Sequence, residues 1–293
     1  MNKNSIILFL VVFSAFMITF ISVGIQHSFG LYLIPITKYL AIGRETFGFA
    51  FALSVFASGL GAFLFGGLSD KYGSGVAAFL GGILFIIGLI WFANVETKLD
   101  VILSQVILGF GGAGVGISVV LGAVGRTTND NNRTFFLGIV MAGGSFGQFL
   151  ILPLATFLIN WFQWSTSLIY LSILSGTMLI FAFALNYSGK SETSITGTNQ
   201  SIKEAIYEAL KSRSFILLSL GFFVCGFHVT FVAIHLPAYI SDQNLSSWVG
   251  GWSLALIGLF NVIGTLLFGY LGDRASKKNL LALLYSLRAI LFL

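Results

Sequence analysis

The sequence predicts an all-α, polytopic membrane protein, and three observations carry that expectation. Only 9% of the residues are charged and 57% are hydrophobic, whereas a soluble domain needs about 25% charged residues to cover its surface. The mean hydropathy is +0.96, so the chain's solvent is expected to be largely lipid. Its apolar residues fall in runs of about 20, enough to cross the hydrocarbon core as helices. The runs lack the apolar–polar alternation of a barrel strand. Backbone groups in lipid must satisfy each other within a segment, so the runs read as helices. The 35 glycines fit that setting, because glycine lets membrane helices approach closely.

The first run begins near Ser5 behind Lys3, as in a secretory leader. It continues far past 15 residues and shows no small-x-small cleavage site, so it reads as a retained helix. Full spans are expected at roughly 5–36, 45–68, 75–95, 101–125, 134–159, 164–186, 213–240 and 247–270, eight in all. Part of a ninth starts near Asn279 and reaches Leu293. The chain thus divides into an N-terminal six-helix half (1–186), a polar linker (187–212), and a partial C-terminal half (213–293) holding helices 7, 8 and the start of 9. In the linker, Ser201 and Glu204 have the spacing of a capping box. Ile202, Ala205, Ile206, Ala209 and Leu210 then share a face, which predicts a short helix lying on the membrane surface. A disordered linker is the alternative, on its Ser/Thr-rich first part.

Basic residues give an orientation. With the N-terminus in the cytoplasm, the inner segments hold eleven: Lys3, Lys71, Arg126, Arg133, Lys190, Lys203, Lys211, Arg213, Arg274, Lys277 and Lys278. The outer segments hold three, Lys38, Arg44 and Lys98, a positive-inside bias. Trp91, Trp161, Trp164, Trp248 and Trp252 all fall at the outer edge, where amphipathic rings collect.

The chain also repeats itself. Gly66 and Gly269, Asp70 and Asp273, and Lys71 and Arg274 pair at an offset of 203. Upstream the offset is 202, pairing Gln26 with His228, Phe29 with Phe231 and Pro35 with Pro237. Helices 1–2 therefore look like helices 7–8 in the same orientation, and parallel repeats of six-helix halves are one architecture of alternating access. By that arithmetic a second half would run to about residue 390, leaving about three and a half helices beyond Leu293. The chain is expected to be C-terminally incomplete or a truncated gene product.

The repeated G-x-x-x-D-[RK] loop, with Gly66, Asp70, Lys71 and Gly73 first and Gly269, Asp273 and Arg274 second, resembles the signature loop of the major facilitator superfamily. G-I-Q-H-S-F-G-L-Y-L-I-P (24–35), C-G-F-H-V-T-F-V-A-I-H-L-P-A-Y (225–239), A-G-G-S-F-G-Q (142–148) and Y-S-L-R-A (285–289) are similar to its bacterial monocarboxylate-transporter-like branch. The resemblance implies secondary transport of a small, often anionic, organic solute, commonly coupled to protons. It also implies a bacterial inner membrane and a monomer. There are departures. Gln26 stands where relatives often carry Arg, which weakens an anion reading for that half. Gln105 precedes Gly109 and Gly111 where proton antiporters carry Arg, which argues against drug–proton antiport. Ala275 replaces the Tyr72 of the first loop.

Several residues are candidates for function. Asp70 and Lys71, at the inner end of helix 2, can form contacts that hold in one state and break in another. The plain alternative is a charged loop. Arg288 lies about 14 Å along helix 9, and a charge at that depth costs at least ~2.5 kcal/mol on insertion scales. It reads as a substrate or counter-ion site, with snorkelling or an acid partner as the alternative. His228 sits at mid-depth in helix 7, and His235, seven residues on, is expected on the same face. Both suit hydrogen bonding and proton exchange, or interhelical structure. Gln26, His27 and Gln148 are polar groups that a polar cavity or a neighbouring helix must satisfy. Cys225 reads as packing.

The sequence contains no Walker loop, no metal-ligand spacing and no nucleophile–base set. An enzyme, a cofactor and a metal are therefore not expected. The net charge of +5 does not point to nucleic acid, since in a membrane protein the placement of Lys and Arg outweighs their sum. The expected partners are a small organic solute, a proton as candidate co-substrate, and the bilayer. A carrier of neutral solutes and a non-transporting receptor or scaffold on the same fold remain the alternatives.

Overall fold

The computed structural model describes residues 3–128, 133–188, 202–272 and 275–292. Among these the regular structure is helical, with no strand. Helix α1 (Lys3–Ser28) passes through a 3-10 turn (Phe29–Tyr32) into α2 (Leu33–Leu40). α3 (Arg44–Tyr72) and α4 (Ser74–Ala93) follow, separated by Gly73. Gly73 has φ of 100°, a conformation open to glycine and strained for other residues, so this signature-loop glycine makes the corner. Gly66, earlier in the same loop, faces open space.

α5 (Lys98–Gly114) starts from a capping box in which Thr97 N–H donates to Asp100 Oδ2 (2.9 Å) and Asp100 N–H donates to Thr97 Oγ1 (3.2 Å). Where one span over 101–125 was expected, the helix breaks at Val115–Gly116 and resumes as α6 (Ile117–Thr127). Gly111, Gly112, Gly114 and Gly116 lower helix propensity there. A Cβ on Gly81 would also overlap the Gly114 backbone, so α4 and α5 touch main chain to main chain.

α7 (Arg133–Leu185) has 53 residues, which straight would measure about 80 Å, far beyond the bilayer core. Gln163, at φ 68° and ψ 163°, breaks it between the expected spans 134–159 and 164–186. The first limb runs parallel to α1, with Gly143 beside Phe16, Gly147 beside Phe20 and Ile151 beside Gly24. The second runs antiparallel, with Tyr32 OH and Ser167 Oγ sharing a hydrogen bond of 2.7 Å and Phe13 meeting Phe181.

The remaining helices are α8 (Ile202–Lys211), α9 (Arg213–Asp242), α10 (Ser247–Gly272, containing Gly269) and α11 (Lys277–Phe292). α8 coincides with the predicted short helix, although Ser201 of its capping box lies outside the described residues, as do Asp273 and Arg274. Seven helical stretches are long and apolar enough to cross a membrane, the bent Phe135–Ser188 among them as one. α11, at 16 residues, is not among them. The sequence repeat recurs in the element boundaries. α3 and α10 start at Arg44 and Ser247, α4 and α11 at Ser74 and Lys277, and the left-handed residues Ala41 and Asn244 precede α3 and α10. Each pair is 203 positions apart.

Lipid tails are as apolar as leucine, so close van der Waals packing has to hold these helices together. A Cβ on Gly147 would overlap Phe20 O across the α1–α7 seam, while one on Gly138 meets nothing within 4 Å. Gly147→Leu is therefore expected to lower the thermal midpoint of the detergent-purified protein by several degrees, an overpacking cost of about 1–3 kcal/mol. Gly138→Leu should leave it unchanged. Equal midpoints for the two variants in a fluorescence melt would contradict the seam as described.

Candidate functional site

A cavity of about 140 Å³ between α1, α7, α9, α10 and α11 gathers His27, Gln148, His228 and Arg288 from segments more than 250 residues apart in sequence. Asn261, from the middle of α10, joins them. Sequence reasoning missed it, although an amide inside the apolar run L-I-G-L-F-N-V-I-G is a signal of the same kind as Gln148. Val229, Val232, Leu254 and Ile257 form the apolar part of the wall.

Arg288 carries the site's fixed positive charge. Its Nη1 is buried and has no hydrogen-bond partner. Arg44 pairs with Asp242 and Arg126 with Asp70, and no carboxylate lines the cavity. His27 Nδ1 lies 2.8 Å from Val23 O. A carbonyl can only accept, so Nδ1 carries the proton, and Nε2 of the neutral ring is left as an acceptor. Gln148 is buried, and its Nε2 donates to Leu254 O at 3.0 Å, crossing from α7 to α10. A group that fits this cavity is small, carries an anionic oxygen for the guanidinium, and has further polar atoms within reach of an amide and imidazoles.

Two candidates lie elsewhere. Gln26 points away from His27, into a separate cavity with Ser54 and Ser58 of α3. His235 does not share a cavity with His228. It lines a larger space of about 490 Å³ between α3 and α9, with its ring 4.9 Å from that of Phe231. Seven residues return a helix to nearly the same face but advance it about 10 Å along the axis. At that level the flanking element is α3, through Gly48 and Phe51.

The signature loop is tied within the first helices. Arg126 Nη1 lies 3.7 Å from Asp70 Oδ1. The same guanidinium donates to Ser74 Oγ and Ser69 Oγ, and Lys71 lies over the Tyr72 ring. Ties between α1–α7 and α9–α10 gather at the opposite end. Arg44 grips Asp242 through two hydrogen bonds of 2.6 Å, and Asn160 and Ser247 bond at 3.1 Å. The 3-10 turn brings Gly30 against Ala233 O, and Gly251 sits against Thr156. The buried residues of α9 are Ala233, Ile234, Ala238 and Ile240, all in its last third. The buried positions of α10 lie in its first half. No sequence pattern announced the Arg44–Asp242 pair, whose members stand 198 positions apart.

The family model "Major Facilitator Superfamily" matches residues 5–293. Monocarboxylate transporter 13 of Bos taurus is 22% identical over 266 residues, covering 90% of this chain and 61% of the relative. Monocarboxylate transporter 11 of Mus musculus is 21% identical, covering 89% and 58%. The uncharacterized MFS-type transporter YcxA of Bacillus subtilis (strain 168) is 23% identical, covering 98% and 70%. The chain thus spans about 60% of the length of the monocarboxylate transporters it matches. Among solved structures, the partially occluded inward-open xylose transporter XylE from E. coli superposes with a TM-score of 0.71 at 15% identity, over 93% of this chain and 74% of that one. A D-xylose–proton symporter gives 0.68 at 14% identity, over 91% and 69%. The likeness in fold and the match along nearly the whole sequence agree: this chain is an integral membrane protein of the major facilitator superfamily.

Proposed function

We propose that the chain carries a small organic anion, a monocarboxylate being the leading class, across a bacterial plasma membrane by alternating access. The observation that carries this reading is the buried guanidinium nitrogen of Arg288, without a partner, in a cavity that also presents His27, Gln148, His228 and Asn261. A charge held inside an apolar bundle is costly, and an anionic guest offsets that cost while matching the fork of donors. The names of the relatives support the solute class. His27 and His228 are the groups suited to exchange a coupled proton.

The proposed layout has eight spans, counting the limbs of α7 separately, and α11 as a ninth. Residues 1–186 form one half, 187–212 a cytoplasmic linker, and 213–293 part of a second half. The N-terminus is cytoplasmic, on the distribution of Lys and Arg. The Arg44 end then faces outward, and the arrangement described is closed there. Transport requires the Arg44–Asp242 pair to open. Asp70 and Lys71 bias the same equilibrium from the inner end.

Arg288→Lys keeps the charge but loses the bidentate fork. It is expected to weaken binding of a monocarboxylate by at least about tenfold, near 1.4 kcal/mol, and to leave a neutral solute of similar size unaffected. Titration of the purified protein reads both affinities, and unchanged anion affinity would sink the anion site.

The Arg44–Asp242 pair is exposed, so its strength is modest, about 0.2–1 kcal/mol. Asp242→Asn should still raise labelling of Asn261→Cys by an impermeant thiol reagent outside intact cells, by about 1.4- to five-fold. The background is Cys225→Ser. Exchanging the charges with Arg44→Asp and Asp242→Arg should restore low labelling. Labelling indifferent to both changes would remove the pair from the gate.

A further inference from the structure

Two prolines stand at matching places in the repeat. Pro35 lies in α2, just beyond the 3-10 turn Phe29–Tyr32, and Pro237 lies inside α9. The offset of 202 that pairs them also pairs Leu31 with Ala233. Proline has no N–H, so it cannot serve the carbonyl four residues back, and its ring pushes that carbonyl out of the helical line. The carbonyls concerned are those of Leu31 and Ala233. Ahead of Pro35 the chain tightens to the 3-10 turn, where Leu33 N–H donates to Gly30 O. At Pro237 α9 stays helical as far as Asp242. α10 packs against this proline, since a Cβ on Gly250 would lie 3.4 Å from Pro237 Cα.

The two proline sites meet. A Cβ on Gly30 would overlap Ala233 O and stand 3.0 Å from both Ala233 C and Ile234 Cα. All three are main-chain atoms, which cannot swing aside as the end of a side chain can. Gly30, Ala233 and Ile234 are buried. Ala233 also lines the cavity of Arg288. Gly30 stands three residues beyond His27 and Ala233 five beyond His228, and both helices run toward the Arg44 end. The contact therefore lies between the imidazoles of the cavity and the Arg44–Asp242 pair.

We infer that Gly30 and Pro237 are positioning residues of the gate at the Arg44 end: Pro237 turns the Ala233 carbonyl toward α1, and Gly30, having no side chain, lets that carbonyl seat and shut the cavity. A glycine Cα–H meeting a carbonyl is a weak contact, so its importance is steric. The two helices close where a methyl is missing and stay apart where one is present. Gly30 does not have a positive φ, so alanine suits its backbone and only the added methyl counts. The exposed Arg44–Asp242 pair is weakened by salt, whereas this buried, uncharged contact is not.

This inference rests on the outward orientation of the Arg44 end, and the test separates the two. Asn261→Cys in the Cys225→Ser background reports an open cavity through labelling by an impermeant thiol reagent, applied to intact cells and to inside-out vesicles. Gly30→Ala is expected to raise labelling of intact cells by about fivefold or more, the population shift that overpacking of the closed arrangement brings. Gly48→Ala, whose Cβ would meet nothing within 4 Å, should leave it unchanged. Pro237→Ala returns the missing N–H and draws the Ala233 carbonyl back into α9. In that background Gly30→Ala should change labelling by less than about twofold, because the two residues act as one unit. Pro237→Ser restores the same N–H and is run beside it. Where neither elutes as a single peak, Gly30→Ala against Gly48→Ala decides alone. Unchanged labelling with Gly30→Ala, or an equal rise with and without Pro237, overturns the proposal. A rise confined to inside-out vesicles supports the steric contact and overturns the orientation instead.

Discussion

In the hydrocarbon of a membrane no water meets a polar group, and the rest of this structure follows from that. Main-chain donors and acceptors are met inside helices. Small hydroxyls turn back on their own helices, as Thr19, Ser22, Ser28, Thr37 and Ser175 do. The helices approach through glycine, with Gly147 against Phe20 and Gly81 against Gly114. Against that background, two of the described side chains stand out: Gln105, with both amide atoms buried and without a partner, and Arg288, with Nη1 buried and without one. Arg288 lines one of the two small cavities beside α1, and Gln26, Ser54 and Ser58 line the other.

The two ends of the bundle are tied differently. Asp70 pairs with Arg126 on α6, so that contact stays inside the first group of helices. Relative motion of α9–α10 against α1–α7 leaves it intact. Arg44–Asp242, Asn160–Ser247 and the contact of Gly30 with Ala233 all cross that boundary, and the same motion breaks them. In this arrangement, resistance to opening therefore lies with the Arg44 end. A role for Asp70 in gating belongs to an arrangement in which the opposite end comes together.

Much of this was legible in the sequence. Composition gave the class, run length gave most helices, and the 203-residue offset recurs in the starts of α3 and α10 and of α4 and α11. Hydropathy missed the break at Val115–Gly116, since a glycine-rich run stays apolar whether or not it is helical. Mid-helix polarity singled out Gln148, His228 and Arg288, which share a cavity. Periodicity alone placed His235 with His228. It could not know which neighbour lies beside each level of α9, and α3 lies beside His235. Asn261, Ser54 and Ser58 were passed over because a lone small polar residue in an apolar helix usually bonds its own backbone. Only the folded arrangement shows that the two serines do not.

Gln148 connects the cavity to the ties between the helices. Its Nε2 donates one N–H to Leu254 O across the α7–α10 boundary, which fixes the amide and leaves its second N–H and Oε1 for a guest. A carboxylate is only an acceptor, so it can take that one N–H. Were α10 to move away from α7, the amide would no longer be held by Leu254, and it could turn to give its donors to the anion beside Arg288. A ligand shifts a conformational equilibrium only by its difference in affinity for the two states. Under the proposed function, one amide would supply such a difference without itself carrying charge. The anion would favour the arrangement in which the Leu254 tie is open, and its release would be favoured where the tie is made.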